Sequence, residues 1–91
     1  MSFVIMFSPV GMSSAKYDEC IAKLKAAGAG APKGREYHVC YGNPSGLNVT
    51  DIWDSMENFE AFGQTLMPIL QSLGVDPGQP DVREVHSIIE G

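Results

Sequence analysis

The sequence predicts an α+β fold in which four antiparallel strands form one sheet and two helices cover one of its faces. Three observations predict it. Segments with strand and helix character follow one another in the order β-α-β-β-α-β, a short loop joins the two middle strands, and the helical segments carry regularly spaced apolar residues. The chain has 91 residues, 44 % of them hydrophobic, which suits one globular domain spanning residues 1–91.

The first strand and the first helix are predicted from local composition and capping. Residues 2–8 are rich in β-forming side chains and are followed by Pro9, which indicates the end of a strand. Ser13 is a typical N-cap residue, and Gly28 is a typical residue for ending a helix. The residues between them repeat with the spacing of a helix: Tyr17, Cys20, Ile21, Leu24 and Ala27.

The two middle strands are predicted over residues 35–41 and 47–53, joined by a five-residue loop as a hairpin. If Tyr41 pairs with Leu47, Arg35 lies opposite Trp53. We expect the more apolar side of this hairpin to lie under the helices. That side carries Arg35, Tyr37, Val39, Tyr41, Leu47, Val49, Asp51 and Trp53.

The second helix is predicted to begin after Asp54 or Ser55, because either residue can cap it. An apolar stripe runs from Phe59 to Leu73, and Pro68 interrupts it, so we expect a kink or two helices placed end to end. Residues 82–89 are predicted to form the last strand.

This order of elements is the ferredoxin-like arrangement, with the strands in the order 4-1-3-2. Because both helices lie on one face, the other face of the sheet is uncovered within one chain. An exposed apolar sheet face favours association, and symmetric pairing of two identical sheets is the simplest way to cover it. We therefore predict a homodimer.

Charge and composition disfavour several classes of partner. The net charge is −5, and the six Lys and Arg residues form no cluster, so we expect no nucleic-acid binding and no binding to a membrane surface. The apolar stretch Phe3–Phe7 is too short for a membrane span, so we expect a cytoplasmic protein. No metal-ligand spacing and no dinucleotide-binding loop occurs, so we predict neither a metal site nor a cofactor.

In the predicted register Asp51 lies on the apolar side, next to Tyr37 and near Arg35 and Trp53. A buried carboxylate needs a partner. It could belong to the wall of a small-molecule pocket, or it could form a structural ion pair with Arg35 or accept a hydrogen bond from Tyr37. The aromatic rings near it could likewise stack on a ligand or simply fill the core.

The segment Asp51-Ile-Trp53-Asp-Ser55, followed by the apolar helix from Phe59, resembles the antibiotic-biosynthesis-monooxygenase-like family of dimeric α+β barrels. The resemblance implies homodimers whose sheets face each other to form a barrel. Some members oxidise small aromatic or polyketide substrates without metal or flavin. Others degrade haem with a histidine about nine residues after the tryptophan, a position held here by Phe62, and the asparagine found on the first strand of several catalytic members has no counterpart.

Together these observations predict a small cytoplasmic homodimer that binds a small, mostly apolar organic molecule between sheet and helices, with a monooxygenase-like or isomerase-like activity. Asp51 would orient or deprotonate the ligand, and His86 is a second catalytic candidate, since histidine can act as a general base. The predicted ligand-binding residues are Trp53, Tyr37, Arg35, Tyr41 and Phe62. The alternative is a non-catalytic metabolite-binding or assembly module. A pocket of roughly 300 Å3 or more beside Asp51 would favour the first hypothesis.

Overall fold

A computed structural model describes all residues from Met1 to Gly91 and confirms the predicted ferredoxin-like fold. The sheet is antiparallel with the order β2-β3-β1-β4, which is the predicted 4-1-3-2 order counted from the other edge. Neither helix has the length and apolarity needed to cross a membrane. The elements are β1 (Phe3–Phe7), α1 (Ser14–Ala26), β2 (Arg35–Asn43), β3 (Gly46–Trp53), α2 (Met56–Ser72) and β4 (Asp81–Glu84).

Serine side chains cap the N-termini of both helices. The hydroxyl of Ser13 accepts a hydrogen bond from the backbone N–H of Lys16, and that of Ser55 accepts one from Asn58, each at 3.2 Å. Each bond satisfies one of the backbone donors that a first helical turn leaves free. Of the two residues predicted as the cap of α2, Ser55 is therefore the cap.

Both helices end at a glycine with positive φ. In α2 the N–H of Gly74 donates to Gln71 O at 3.1 Å, and the N–H of Val75 donates to Leu70 O at 3.0 Å. Gly74 has a φ of 70° and Gly28, which follows α1, has a φ of 77°. This pair of bonds around a left-handed residue is the Schellman motif, and glycine adopts that conformation without a steric penalty.

Helix α2 runs through Pro68 as a single element of 17 residues, so the predicted alternative of two helices is wrong. Proline lacks the N–H that would bond to the carbonyl of Gln64, four residues earlier. Both residues are exposed, so water can hydrate that carbonyl and the helix continues.

The core lies between the helices and one face of the sheet. Trp53 and Ile5 are fully buried at its centre, and the Trp53 ring meets the rings of Phe59 and Phe62 at centroid distances of 5.8 and 5.3 Å. The other buried apolar residues are Met12, Cys20, Leu24, Leu70 and Val75. The indole at the end of β3 thus joins the sheet to α2.

The β2–β3 hairpin departs from the predicted register because its loop has two residues instead of five. Asn43 pairs with Gly46, so Tyr41 lies opposite Asn48 and not opposite Leu47. A shift of one residue moves every following side chain to the other face of the sheet. The predicted partners of this part of β2 are therefore wrong.

A β-bulge between Arg35 and Tyr37 restores the predicted pairing at the start of β2, where Arg35 lies opposite Trp53. The extra residue changes the alternation, so that His38, and not Tyr37, joins Arg35 on the helix-facing side. His38 lies directly opposite Asp51.

The open face of the sheet, turned away from the helices, is largely apolar. Tyr37 is 55 % exposed, and Val39 and Tyr41 are each 45 % exposed. By alternation the open face carries the apolar residues Val4, Met6, Tyr37, Val39, Tyr41 and Ile52, and its polar positions are Asn48, Thr50, Asp81 and Arg83. One chain leaves this surface in water.

Strand β4 is shorter than predicted and ends at Glu84. One further backbone bond, from Val85 N–H to Ser2 O at 2.9 Å, follows it. His86 lies beyond this bond, outside any strand, and is exposed. The prediction of a strand over 82–89 is therefore wrong after Glu84, because no second strand of this chain lies alongside the later residues.

We expect Gly74→Ala to lower the free energy of unfolding by about 1–2 kcal/mol, because an L-residue pays a steric cost at positive φ. The matched control is Gly63→Ala inside α2, where an added Cβ meets no atom within 4 Å. That change should raise stability by up to about 1 kcal/mol. Urea denaturation measures both, and equal effects of the two changes would contradict the assignment.

Candidate functional site

An apolar cleft lies between the two helices and the helix-facing side of the sheet. Its volume is about 90 Å3, and twelve of its eighteen lining residues are hydrophobic. Its polar lining groups come from β2, β3 and the first turns of α1. They are Tyr17, Arg35, His38 and Asp51.

Four side chains form a continuous hydrogen-bonded chain from the core to this cleft. Trp53 Nε1 donates to Asp51 Oδ2 at 3.4 Å, and His38 Nδ1 lies 2.5 Å from Asp51 Oδ1. His38 Nε2 in turn lies 2.7 Å from the Tyr17 hydroxyl. The Tyr17 and His38 rings are stacked, with an interplanar angle of 5° and centroids 6.0 Å apart.

The chemistry of the four side chains determines which group donates and which accepts in each of these hydrogen bonds. Asp51 has only 7 % of its side chain exposed, and its carboxylate oxygens accept from the indole N–H and from the imidazole. The proton of a neutral His38 is therefore on Nδ1, and Nε2 accepts from Tyr17. Burial raises the pKa of Tyr17, so its phenol keeps the proton that it donates.

The local sequence explains the position of each side chain in this hydrogen-bonded series. Asp51 and Trp53 are two residues apart on β3, so their side chains share the helix-facing side. The bulge places His38 opposite Asp51. Tyr17 follows the Ser13 cap, and its backbone N–H donates to Ser13 O at 2.9 Å, which sets the hydroxyl over β2.

Arg35 lies at the start of β2, beside the hydrogen-bonded chain. Its guanidinium carbon is 5.8 Å from the centre of the Phe62 ring, a cation–π distance, and Nη2 donates to Gly30 O at 3.3 Å. A second cavity of about 260 Å3, the outer cavity, adjoins this point. It is lined by Ala31, Pro32, Arg35, Glu36, Tyr37 and His38.

The cysteines are free thiols. Cys20 lines the cleft from α1, and Cys40 lies on β2. Burial raises the pKa of both thiols. Because the thiolate is the nucleophilic form, neither residue is prepared for nucleophilic attack.

The structure brings some of the predicted site residues together and separates others. Asp51, Arg35 and Phe62 line the cleft. Trp53 lies behind Asp51, fully buried, and bonds to it instead of lining the cleft.

Tyr37 and Tyr41 lie on the open face of the sheet, away from the cleft. The predicted placement of both rings on the helix-facing side, with Tyr37 next to Asp51, is wrong, because the tight turn and the bulge reverse the alternation of β2. Tyr37 does line the outer cavity. His86 follows β4 and is exposed, with no contact to the cleft.

Sequence reasoning missed His38 as the partner of Asp51 and Tyr17 as the partner of His38. One signal could have found His38. A carboxylate in the middle of a buried strand needs a hydrogen-bond donor, and His38 is one register step from the predicted neighbour, Tyr37. The sequence contains no comparable signal for Tyr17, because a tyrosine on the apolar side of a helix could equally well be a core residue.

The fold and the site define a ferredoxin-like α+β domain with a carboxylate–imidazole–phenol chain at an apolar cleft. Similar folds occur in the cofactor-independent oxygenase SnoaB from Streptomyces nogalater, with 14 % identity, a TM-score of 0.63, and coverage of 99 % of this chain and 96 % of that one. A proposed antibiotic biosynthesis monooxygenase from Chloroflexus aurantiacus is 17 % identical, with a TM-score of 0.65 and full coverage of both chains.

A third similar structure is a proposed antibiotic biosynthesis monooxygenase from Deinococcus radiodurans, with 14 % identity and a TM-score of 0.62 over 99 % of this chain and 97 % of that one. Neither a protein-family model nor a curated protein sequence matches the chain. The likeness confirms the predicted resemblance at the level of the fold, an antibiotic-biosynthesis-monooxygenase-like α+β fold.

We expect Asp51→Asn to lower the free energy of unfolding by about 1–3 kcal/mol, because the Trp53 indole and the His38 imidazole donate to different oxygens, and in asparagine an NH2 group replaces one of them. The side-chain 15N shifts of His38 should then move away from those of the Nδ1–H tautomer. Glu60→Gln is the matched control, since Glu60 is exposed on α2 and does not line the cleft. A variant as stable as the wild type, with unchanged shifts, would contradict the assigned chain.

Proposed function

We propose that this chain acts as a homodimer that binds a small, mostly apolar organic molecule in the cleft and removes a proton from it. The observation that carries the proposal is the hydrogen-bonded chain from buried Asp51 through His38 to Tyr17, which ends at an apolar cleft. Titratable groups that are held in line beside an apolar pocket are typical of proton-transfer sites.

The hydrogen-bonded side chains can transfer one proton from the ligand to His38. The Tyr17 oxygen accepts a proton from an acidic C–H or O–H of the ligand while its own proton passes to His38 Nε2. The electron pair of the broken bond stays on the ligand, which becomes an enolate or phenolate. The Asp51 carboxylate, 2.5 Å from Nδ1, stabilises the imidazolium that forms.

The ligand anion has two productive fates. Return of the proton to a different carbon gives an isomerisation. Reaction with dioxygen gives a monooxygenase-like outcome, in which a CH2 group becomes a carbonyl, one oxygen atom stays in the product and the other leaves as water. The similar fold of SnoaB, a cofactor-independent oxygenase, supports the second fate.

The homodimer is supported by the open face of the sheet. Tyr37, Val39 and Tyr41 are about half exposed, and a second copy facing this surface would bury them in a barrel between the two sheets. In this arrangement Tyr37 and Tyr41 serve the subunit interface. We place the dimer in the cytoplasm.

A non-catalytic binding or assembly module is the second candidate function. The observation that favours it is the cleft volume of about 90 Å3, below the roughly 300 Å3 of a common ligand pocket. A ring system can occupy the site only by extending into the outer cavity or by moving side chains. Turnover experiments separate the two candidates.

The dimer proposal predicts that Val39→Asp gives a monomer in sedimentation velocity, because the change places a charge in the apolar interface. Val10→Asp is the matched control, since Val10 is 70 % exposed in a loop and should leave the assembly intact. A monomeric wild type, or a dimer that survives Val39→Asp, would overturn the proposal.

The proton-transfer proposal predicts that the protein accelerates the exchange of the acidic C–H protons of 2-tetralone with D2O, which 1H NMR measures. We expect His38→Gln to lower the protein-catalysed rate by about a hundredfold or more, the usual share of a general base. Asp51→Asn should lower it as well, and Glu60→Gln, at an exposed position of α2 that lines neither cavity, should not.

Two outcomes would contradict this reading. If 2-tetralone binds without accelerated exchange, the non-catalytic candidate is correct. If His86→Gln abolishes exchange while His38→Gln does not, the general base is the exposed histidine, supplied through the dimer, and the proposed proton path is wrong.

A further inference from the structure

We infer that the ligand carries an anionic oxygen group, most simply the carboxylate of a planar aromatic acid, and that Arg35 binds this group where the cleft meets the outer cavity. The inference rests on the proposed function and adds the substrate class. In this inference Arg35 is the residue that makes the site prefer an anionic ligand over a neutral one.

The hydrogen-bonding state of Arg35 is the first support. A guanidinium has five N–H donors, and in this structure Arg35 makes one long side-chain hydrogen bond, to Gly30 O. It forms no ion pair, whereas the other arginine of the chain, Arg83, pairs with Asp81. The planar fork therefore has donors left for a carboxylate, the group that it matches in two-point geometry.

The position of Arg35 is the second support. The guanidinium lies over the Phe62 ring, whose side chain is a wall of the cleft, and the bulge holds Arg35 on the helix-facing side. A flat ring packed in the cleft would thus place a substituent at the guanidinium. Stacking on Phe62 limits the rotamers of Arg35, so less entropy is lost on binding.

The two cavities are the third support, because Arg35 and His38 line both of them. The cleft of about 90 Å3 is apolar, whereas the outer cavity of about 260 Å3 is walled partly by polar groups. This division fits a molecule with an apolar ring and a polar head. The outer cavity also contains Glu36, whose carboxylate accepts a hydrogen bond from the Ser2 hydroxyl.

Arg35 supplies the positive charge at this point, where the outer cavity also contains the Glu36 carboxylate and the whole chain carries −5. Arg35 is the only Lys or Arg residue lining either cavity. The Asp51 carboxylate is already engaged by His38 and Trp53. Burial raises the pKa of Tyr17, the neighbouring Cys40 and Asp51 add to this rise, and the charge of Arg35 opposes it.

A charge-matched pair of probes tests the inference: 2-naphthoate and its neutral isostere 2-naphthamide, with affinities from isothermal titration calorimetry. We expect the wild type to bind the acid about tenfold or more tightly than the amide. Arg35→Gln should remove this preference by weakening the acid alone, and Arg35→Lys should keep part of it, since lysine retains the charge without the planar fork. Lys25→Gln, a change at an exposed lysine of α1 that lines neither cavity, should leave both affinities unchanged.

The outcomes separate this inference from the proposed function. Equal affinities of the wild type for acid and amide, or a preference that survives Arg35→Gln, would overturn the role of Arg35 while leaving the cleft as a binding site. Binding of neither probe would overturn the role of Arg35, and the exchange of 2-tetralone would then decide the proposed function on its own. If Arg35→Gln fails to fold, the wild-type preference and the Arg35→Lys variant still decide the question.

Discussion

The buried carboxylate of Asp51 is the constraint on which the rest of the site depends. A charged group in the core of a small domain is costly unless its oxygens are paired and hydrogen-bonded. Here the indole of Trp53 and the imidazole of His38 meet this need from two sides. Their own positions then follow: Trp53 must lie behind the carboxylate, and His38 must face the helices.

The β-bulge at the start of β2 allows His38 to pair with Asp51 within a regular sheet. Without it, Arg35 and His38 would point to opposite faces, because they are three residues apart. With it, both lie on the helix-facing side, one over Phe62 and the other opposite Asp51. A single extra residue therefore places the cation and the imidazole together beside the same cleft.

The two faces of the sheet serve two different proposed purposes. The helix-facing side carries the hydrogen-bonded chain and the cleft, whereas the open face carries the exposed aromatic and β-branched residues of β2. This arrangement explains the residue pattern of β2. Its polar residues face the helices and its apolar residues lie on the open face, which is the reverse of the pattern in a sheet with one solvated face. In the proposed dimer both faces are buried, so apolarity does not mark the core side.

The sequence by itself determined the order of the elements, the Ser13 cap, the glycine that ends each helix and the strand order, because these depend on local composition and on the few topologies open to a βαββαβ chain. It also placed Asp51 and Trp53 correctly on the helix-facing side of β3. Only the tertiary structure decided the partners of Asp51. The two-residue turn and the bulge each shift the register by one residue. Neither shift can be read from the apolar pattern of β2, because both faces of this strand carry apolar residues.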